Sequence, residues 1–340
     1  MSRVAIVFTG GTISMRHDPA AGGNVPVLGG AALLETAPGL DRIADLVPID
    51  RGLTPASHFT FEALFGIHEA VREALADPSI DGAIVVQGTD TIEETAFFLD
   101  LLHAGPKPIV VTGAMRSASQ DGYDGPANLT AAVRVAASAE AADAGLGAVV
   151  VLGGTIEAAD DVSKTHASAF DTFRSLNRGA LGLVVDERVE LGASRGVRRY
   201  VAAERAAERV FLVTATVATD GTPIAALHAA GADGFVVAAT GAGNTSAALL
   251  AAAEAAIADG LPVVLATRCP VGAAGAGYAF PGGGATWLRA GAIPAGHLTG
   301  PKARIALALG IGAGLDRAGL DRLLADPAPI HDPDWYWSER

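Results

Sequence analysis

The sequence predicts an α/β protein, with a larger N-terminal domain on a mainly parallel sheet and a smaller C-terminal α/β domain. Three observations carry this. Apolar, β-branched runs alternate with helical patterns at the spacing of βαβ units. Glycine, with 42 copies, gathers where those runs end. The chain has 340 residues, 50% of them hydrophobic, which favours two domains and a sizeable core.

The elements follow in order. Strands are expected at 4–8, 83–86, 109–112 and 148–152. Helices are expected between them at 60–76, 92–103 and 127–142. Thr91 and Glu94 have the T-x-x-E spacing of a capping box. Pro126, after Asp124 and Gly125, fits the first turn of a helix. From 184 to 209 the chain turns charged and reads as a hairpin plus a connecting segment. Alternation resumes with strands at 210–214, 234–238 and 263–267 and helices at 245–258 and 302–310. The expected division is therefore an N-terminal domain at 1–190, a linker at 191–209 and a C-terminal domain at 210–340.

Composition narrows the function. The net charge of −13 argues against nucleic acid as a partner, because binding it needs a basic surface. A single cysteine leaves no internal disulfide and no thiolate cluster for a metal. That residue, Cys269, is expected to be a buried small apolar side chain. No apolar run reaches membrane-spanning length without a glycine or charge interruption. MSRVAIVF passes straight into a strand without a signal-peptide pattern, so a cytoplasmic protein is expected.

Chemistry concentrates at two strand ends. Thr12 lies in VAIVFTGGTIS and Thr89 in GAIVVQGTDTIEE, each in a Gly-Thr step after an apolar run, and Asp90 follows Thr89 directly. Open α/β sheets bind ligands at their carboxyl edge, and two hydroxyls with a carboxylate there point to nucleophilic chemistry. Residues 13–30, ISMRHDPAAGGNVPVLGG, show no helical period and are expected to form a lid over Thr12, with an ordinary surface hairpin as the alternative. A threonine hydroxyl needs a base. His17, His58 and His166 share no motif with these loops and are taken as ordinary polar residues. The metalloprotease, Cys-x-x-Cys, Walker A and G-x-S-x-G patterns are all absent. Lys164, in DDVSKTHASAFDTF, is a strand-end lysine, and burial or a nearby positive charge would equip it as a base. Taken alone, an isolated lysine is more often a solvated surface charge.

Together TGGTIS, QGTDTIEETAFFLDLL, TGAMRSASQDGYDGPANL and DDVSKTHASAFDTFRSLNRGALG, in that order, resemble the bacterial-type L-asparaginase and glutaminase-asparaginase family. The likeness continues to GAGNTS at 241–246 and PKAR at 301–304. It implies hydrolysis of the side-chain amide of L-asparagine, with no metal or organic cofactor. It implies Thr12 as nucleophile and Thr89, Asp90 and Lys164 as a second catalytic set. It also implies that Ser57 binds the substrate carboxylate and that Gly11, Gly88 and Ala114 lie in substrate-contacting loops. Asn244 would be donated by a neighbouring subunit in a homo-oligomer, a dimer or tetramer.

Two positions depart from the family pattern. Val25 stands where the lid usually carries a tyrosine, and Tyr278 in GAGYAFPGGG is a substitute candidate. No Asp or Glu lies between Cys269 and Lys302, where an acidic residue often contacts the substrate amino group. A broader glutaminase-asparaginase and a catalytically inactive amino-acid-binding regulator are therefore the alternative readings. A tRNA-dependent amidotransferase subunit fits less well, given the acidic charge and a start at the first strand. The C-terminal HDPDWYWSER, with three consecutive aromatics, is expected to pack on the domain or at a subunit contact.

Overall fold

The computed structural model describes residues 1–326. The chain divides into two compact units, Met1–Arg198 and Arg199–Arg340. The aromatic C-terminal segment lies outside the described residues.

The first unit opens with β1 (Ser2–Phe8), β2 (Met15–Asp18), β3 (Gly23–Pro26), α1 (Gly30–Glu35) and β4 (Ala44–Asp50). Next come α2 (Phe61–Ala76), β5 (Gly82–Val86), α3 (Ile92–Leu102) and β6 (Ile109–Thr112). The chain continues through α4 (Gly125–Ala136), α5 (Ala139–Asp143), β7 (Ala148–Leu152), β8 (Thr155–Ala158), β9 (Val162–Lys164), β10 (Phe173–Ser175), β11 (Gly182–Val185) and β12 (Arg188–Leu191).

Eight of these strands form one sheet in the order β12-β11-β8-β7-β6-β5-β1-β4. The five from β7 to β4 pair in parallel, and β8, β11 and β12 extend the sheet antiparallel. Burial on both faces explains the near-continuous Val and Ile runs: every residue of β5, β6 and β7 is buried. From β1 the chain first builds β4 on one side, then crosses to β5 on the other. The order of connection reverses between β1 and β5, the position at which open α/β sheets bind ligands.

The second unit contains β13 (Val210–Thr214), α6 (Thr222–Ala229), β14 (Gly234–Ala239), α7 (Ala247–Ala258), β15 (Val263–Thr267), α8 (Gly284–Arg289), β16 (Ile293–Pro294), α9 (Gly300–Gly312) and α10 (Arg317–Leu324). Its four strands are parallel, in sequence order. Phe235, Val237, Leu249, Leu265 and the fully buried Trp287 share its core.

The α/β class, with a larger and a smaller domain, agrees with the sequence, and four details correct it. The expected helix at 127–142 is two helices, α4 and α5, with Ser138 capping the second through Ala141 N–H at 3.1 Å. Thr91 does not close a capping box; its hydroxyl donates to the Ala56 carbonyl at 3.1 Å. Cys269 is exposed, because β15 has already ended at Thr267 and the chain turns outward there. The segment read as a lid contains a hairpin, with β2 and β3 paired antiparallel and Arg16 opposite Val25. Residues 191–198 belong to the first compact unit. Arg195, in that stretch, donates to Asp100 at 2.6 Å and to the Leu146 and Ala148 carbonyls.

Candidate active site

The site grows from the glycines at the ends of β1 and β5. Thr9 donates to the Val86 carbonyl through both its N–H and its hydroxyl, each at 3.0 Å, fastening the two strand ends together. Beyond it, Gly10 and Gly11 adopt φ of +103° and +96°, a region that favours glycine. A Cβ on Gly11 would lie 2.1 Å from the Gly88 nitrogen, so the two turns approach to a distance only glycine permits.

Directly after this crossing, Thr12 opens a short 3-10 turn, Thr12–Ser14. Ser14 donates to the Gly11 carbonyl through its N–H at 2.9 Å and its hydroxyl at 2.8 Å. Ile13 is buried in the core. Thr12 is half-buried, and its hydroxyl makes no hydrogen bond among the described residues.

On the other side of the crossing, Gly88 leads into the turn Thr89–Thr91 and then α3. Thr89 is 5% exposed. Its hydroxyl accepts from Lys164 Nζ at 2.9 Å, across 75 residues of sequence. Lys164 Nζ also reaches Asp90 Oδ1 at 3.1 Å; the lysine side chain is 16% exposed and the aspartate 70%. The lysine is therefore sheltered while its partner faces water, and solvent screening keeps that ion pair weak.

Lys164 ends β9, which pairs with β10 so that Lys164 faces Phe173. Its backbone N–H donates to Glu93 Oε2 at 3.1 Å, joining the strand to the first turn of α3. Asp161 accepts from the backbone N–H groups of Asn177 and Arg178 and from the Asn177 side chain. Glu157 accepts from Ser175 N–H at 2.9 Å, and burial pushes its carboxyl above the usual range. These contacts fix the hairpin that presents the lysine.

The loop at 113–124, after β6, forms another wall. Ala114 is fully buried at its start. Asp124 accepts from Met115 N–H and Arg116 N–H at 3.0 and 2.9 Å, and Asn128 donates to the Gly113 carbonyl at 3.0 Å. The same loop grips the β2–β3 hairpin. Ala118 N–H donates to the Met15 carbonyl, His17 N–H to Ser119 Oγ, and Ser117 Oγ to Asn24 Oδ1. Tyr123 Oη donates to the Ile13 carbonyl at 2.7 Å, and burial pushes its phenol up to about 12.

Among the expected residues, Gly11, Gly88, Thr89, Asp90 and Lys164 are joined by direct contacts, and Thr12 follows Gly11 in the chain. Ser57 is exposed in the turn Ala56–His58, next to the buried Ala56 whose Cβ faces Gly88. Asn244 lies in the second unit, after β14, where its backbone bridges to Thr240. Its side-chain Oδ1 is buried without a hydrogen-bond partner among the described residues. Tyr278 is exposed, with its ring 5.9 Å from that of Phe280. Val25 is half-buried on β3 and has no hydroxyl to offer. Glu93 and Tyr123 escaped the sequence reading. Glu93 was legible as a first-turn acid of α3, and Tyr123 as the one aromatic in its polar loop.

Chemically, the Gly11–Gly88 crossing brings the turn that carries Thr12 next to the turn that opens the hydroxyl–amine–carboxylate trio of Thr89, Lys164 and Asp90. Turns at strand ends carry backbone N–H groups of the kind that stabilise an oxyanion. Among the described residues, no group of three or more His, Cys, Asp or Glu side chains is placed to hold a metal ion.

Known proteins resemble this chain in sequence and in fold. Residues 3–195 match the family described as "Asparaginase, N-terminal", and residues 209–324 match "Glutaminase/Asparaginase C-terminal domain". A protein of Deinococcus radiodurans named "Probable L-asparaginase" is 36% identical over 335 residues, covering 95% of this chain and 97% of its own. One of Haemophilus influenzae named "Probable L-asparaginase periplasmic" is 31% identical over 322 residues, covering 92% and 89%. The crystal structure of a probable cytoplasmic L-asparaginase from Campylobacter jejuni superposes with a TM-score of 0.84 at 28% identity, covering 95% of this chain and 99% of that one.

Proposed function

We infer the chemistry from one premise: this chain belongs to the asparaginase family. It is an L-asparaginase, an amidohydrolase that converts L-asparagine and water to L-aspartate and ammonia.

The reading of the residues is double displacement. The Thr12 hydroxyl attacks the side-chain amide carbon and gives up its proton. Backbone N–H groups of the Gly-Thr turns hold the oxyanion of the tetrahedral intermediate. The amide nitrogen takes up a proton and leaves as ammonia, so the substrate becomes an ester on Thr12. Water then attacks that ester, aspartate leaves, and the Thr12 hydroxyl is restored. Thr89, Lys164 and Asp90 carry protons through both halves. The observation that supports this most is the contact of Lys164 Nζ with Thr89 Oγ1 at 2.9 Å, beside the Gly11–Gly88 crossing.

Gly11, Ser57, Gly88 and Ala114 line the substrate position in this reading. Asn244 reaches the site of a second copy in a dimer or tetramer. No cofactor enters any step. A cytoplasmic location, as in the name of the Campylobacter jejuni protein, belongs to the same proposal.

The test is ammonia release from L-asparagine, L-glutamine and D-asparagine, measured side by side for the natural chain and Thr12→Ala. L-asparagine is the expected preferred substrate, and Thr12→Ala is expected to lose turnover. Near-normal turnover in Thr12→Ala would remove the nucleophile assignment. Asparagine binding without turnover in the natural chain would favour an amino-acid-binding regulator.

A further inference from the structure

We propose that Tyr123 is a positioning residue for the reaction, a strut whose phenol holds the Thr12 turn in its attacking position through the Ile13 carbonyl. The proposal rests on the assignment of Thr12 as nucleophile.

The backbone around Thr12 is restrained from several directions. On its amino side, Gly10 and Gly11 have the conformational freedom of glycine but are pressed against neighbouring backbone. Leu53 Cα would stand 2.9 Å from a Cβ on Gly10, and Gly88 N 2.1 Å from one on Gly11. The Gly11 carbonyl accepts twice from Ser14, closing the turn on itself. On the carboxyl side, the buried Ile13 side chain anchors one face of the turn. The Ile13 carbonyl points elsewhere and is taken by Tyr123 Oη at 2.7 Å. That bond spans 110 residues and links the nucleophile turn to the loop that also carries Ala114.

The strut has a firm base. Gly125, directly behind Tyr123, would place a Cβ 2.3 Å from the phenol oxygen, so the ring packs against a position with no room for a side chain. Asp124, its neighbour, is held by Met115 N–H, Arg116 N–H and Asn128 Nδ2. Asn128 in turn accepts from Gly153 N–H at the end of β7. A chain of short bonds thus runs from the sheet to the nucleophile turn. Ala118 and Ser119 fasten the following residues Met15 and His17 to the same loop. Those two bonds hold the hairpin, and Val27 and Leu28 N–H hold the Ser14 carbonyl at the far end of the turn; the Tyr123 bond holds the Ile13 carbonyl, next to Thr12. Burial keeps the phenol protonated up to about 12, so it remains a donor across the working range.

A misplaced nucleophile loses rate steeply, since an error near 1 Å removes up to about a hundredfold. Tyr123→Phe keeps the ring and its packing but deletes the donor. The expected result is a fall in kcat of about ten- to a hundredfold, with KM for L-asparagine within about twofold. The same factor should appear at every pH from about 6 to 10, because an orienting donor with a phenol held near 12 does not titrate there. Hydrogen exchange of the peptide spanning 11–15 should accelerate in Tyr123→Phe, giving a readout independent of turnover.

A kcat in Tyr123→Phe within twofold of the natural enzyme would overturn the strut, even with a lowered melting temperature, because that pattern belongs to a purely structural tyrosine. A loss that grows or fades across pH 6–10 would overturn it in favour of proton transfer. Thr12→Ala run in parallel separates the two levels. If it keeps turnover, the nucleophile assignment fails. If it is inactive while Tyr123→Phe is normal, the strut alone fails.

Discussion

Lys164→Met removes an ammonium head from a sheltered position and keeps most of the side-chain volume. Two consequences follow, and their sizes separate them. The ion pair with Asp90 spans 3.1 Å, but the aspartate is 70% exposed, so its loss is worth at most about 1 kcal/mol. Thr89, 5% exposed, loses the donor at 2.9 Å to its hydroxyl, a further ~1 kcal/mol of stability. The fold should therefore weaken by no more than about 2 kcal/mol. A positioned proton-transfer group contributes about 10²–10⁴ in rate. That corresponds to about 3–5 kcal/mol of barrier, more than the stability term. Steady-state ammonia release and thermal melting on one preparation would read both quantities. Lys164→Arg sharpens the test, because a guanidinium holds charge but cannot surrender its proton. It should stay as slow as Lys164→Met if Lys164 moves protons. Full recovery in the arginine variant would reduce the lysine to a fixed positive charge. A kcat in Lys164→Met within about threefold of the natural enzyme would refute the role altogether.

Two further outcomes concern the fold around the site. Asp100 and Arg195 are each 2% exposed, and the carboxylate also takes Arg198 Nη1 at 3.1 Å and Ala148 N–H at 3.0 Å. Asp100→Ala leaves a buried guanidinium with Asp160 at 3.3 Å as its remaining acidic contact, and should remove about 3–5 kcal/mol, read as a lower urea midpoint. His68 and His103 are half-buried, and burial holds both below the ordinary imidazole range; Arg72 adds to this at His68 and Glu69 opposes it. Their folded forms resist protonation, so the unfolded chain binds more protons as pH falls. Stability from this source is complete above about 6.5 and declines below it. The double variant His68→Gln/His103→Gln should flatten the fall in melting temperature between pH 7 and 5, and an equally steep fall would exclude these two groups as its cause.

How far the sequence reached depended on where each signal was stored. Strands β5, β6 and β7 were legible because burial on both faces demands uninterrupted Val and Ile. β4, ADLVPID, was missed because Pro48 interrupts its pattern; proline is tolerated there because β4 is the edge strand, beside β1 alone. The capping box failed for a related reason. Thr91 has the local spacing for it, but a carbonyl 35 residues away, on Ala56, takes its hydroxyl. Thr12, Thr89 and Asp90 were readable because a strand, a glycine and a hydroxyl are neighbours in sequence as well as in space. Lys164 needed the resemblance, since nothing local distinguishes it from a surface lysine. Tyr123 and Glu93 went unread because each acts on another residue's backbone, and a backbone group carries no letter in the sequence. This division follows from the topology. A switch point between β1 and β5 collects loops from strands distant along the chain. Residues that act at the switch point must therefore be specified at strand ends, where they leave a motif. Residues that hold those loops need only reach a carbonyl or an N–H, which many sequences can do, so their roles emerge only when the loops are seen together.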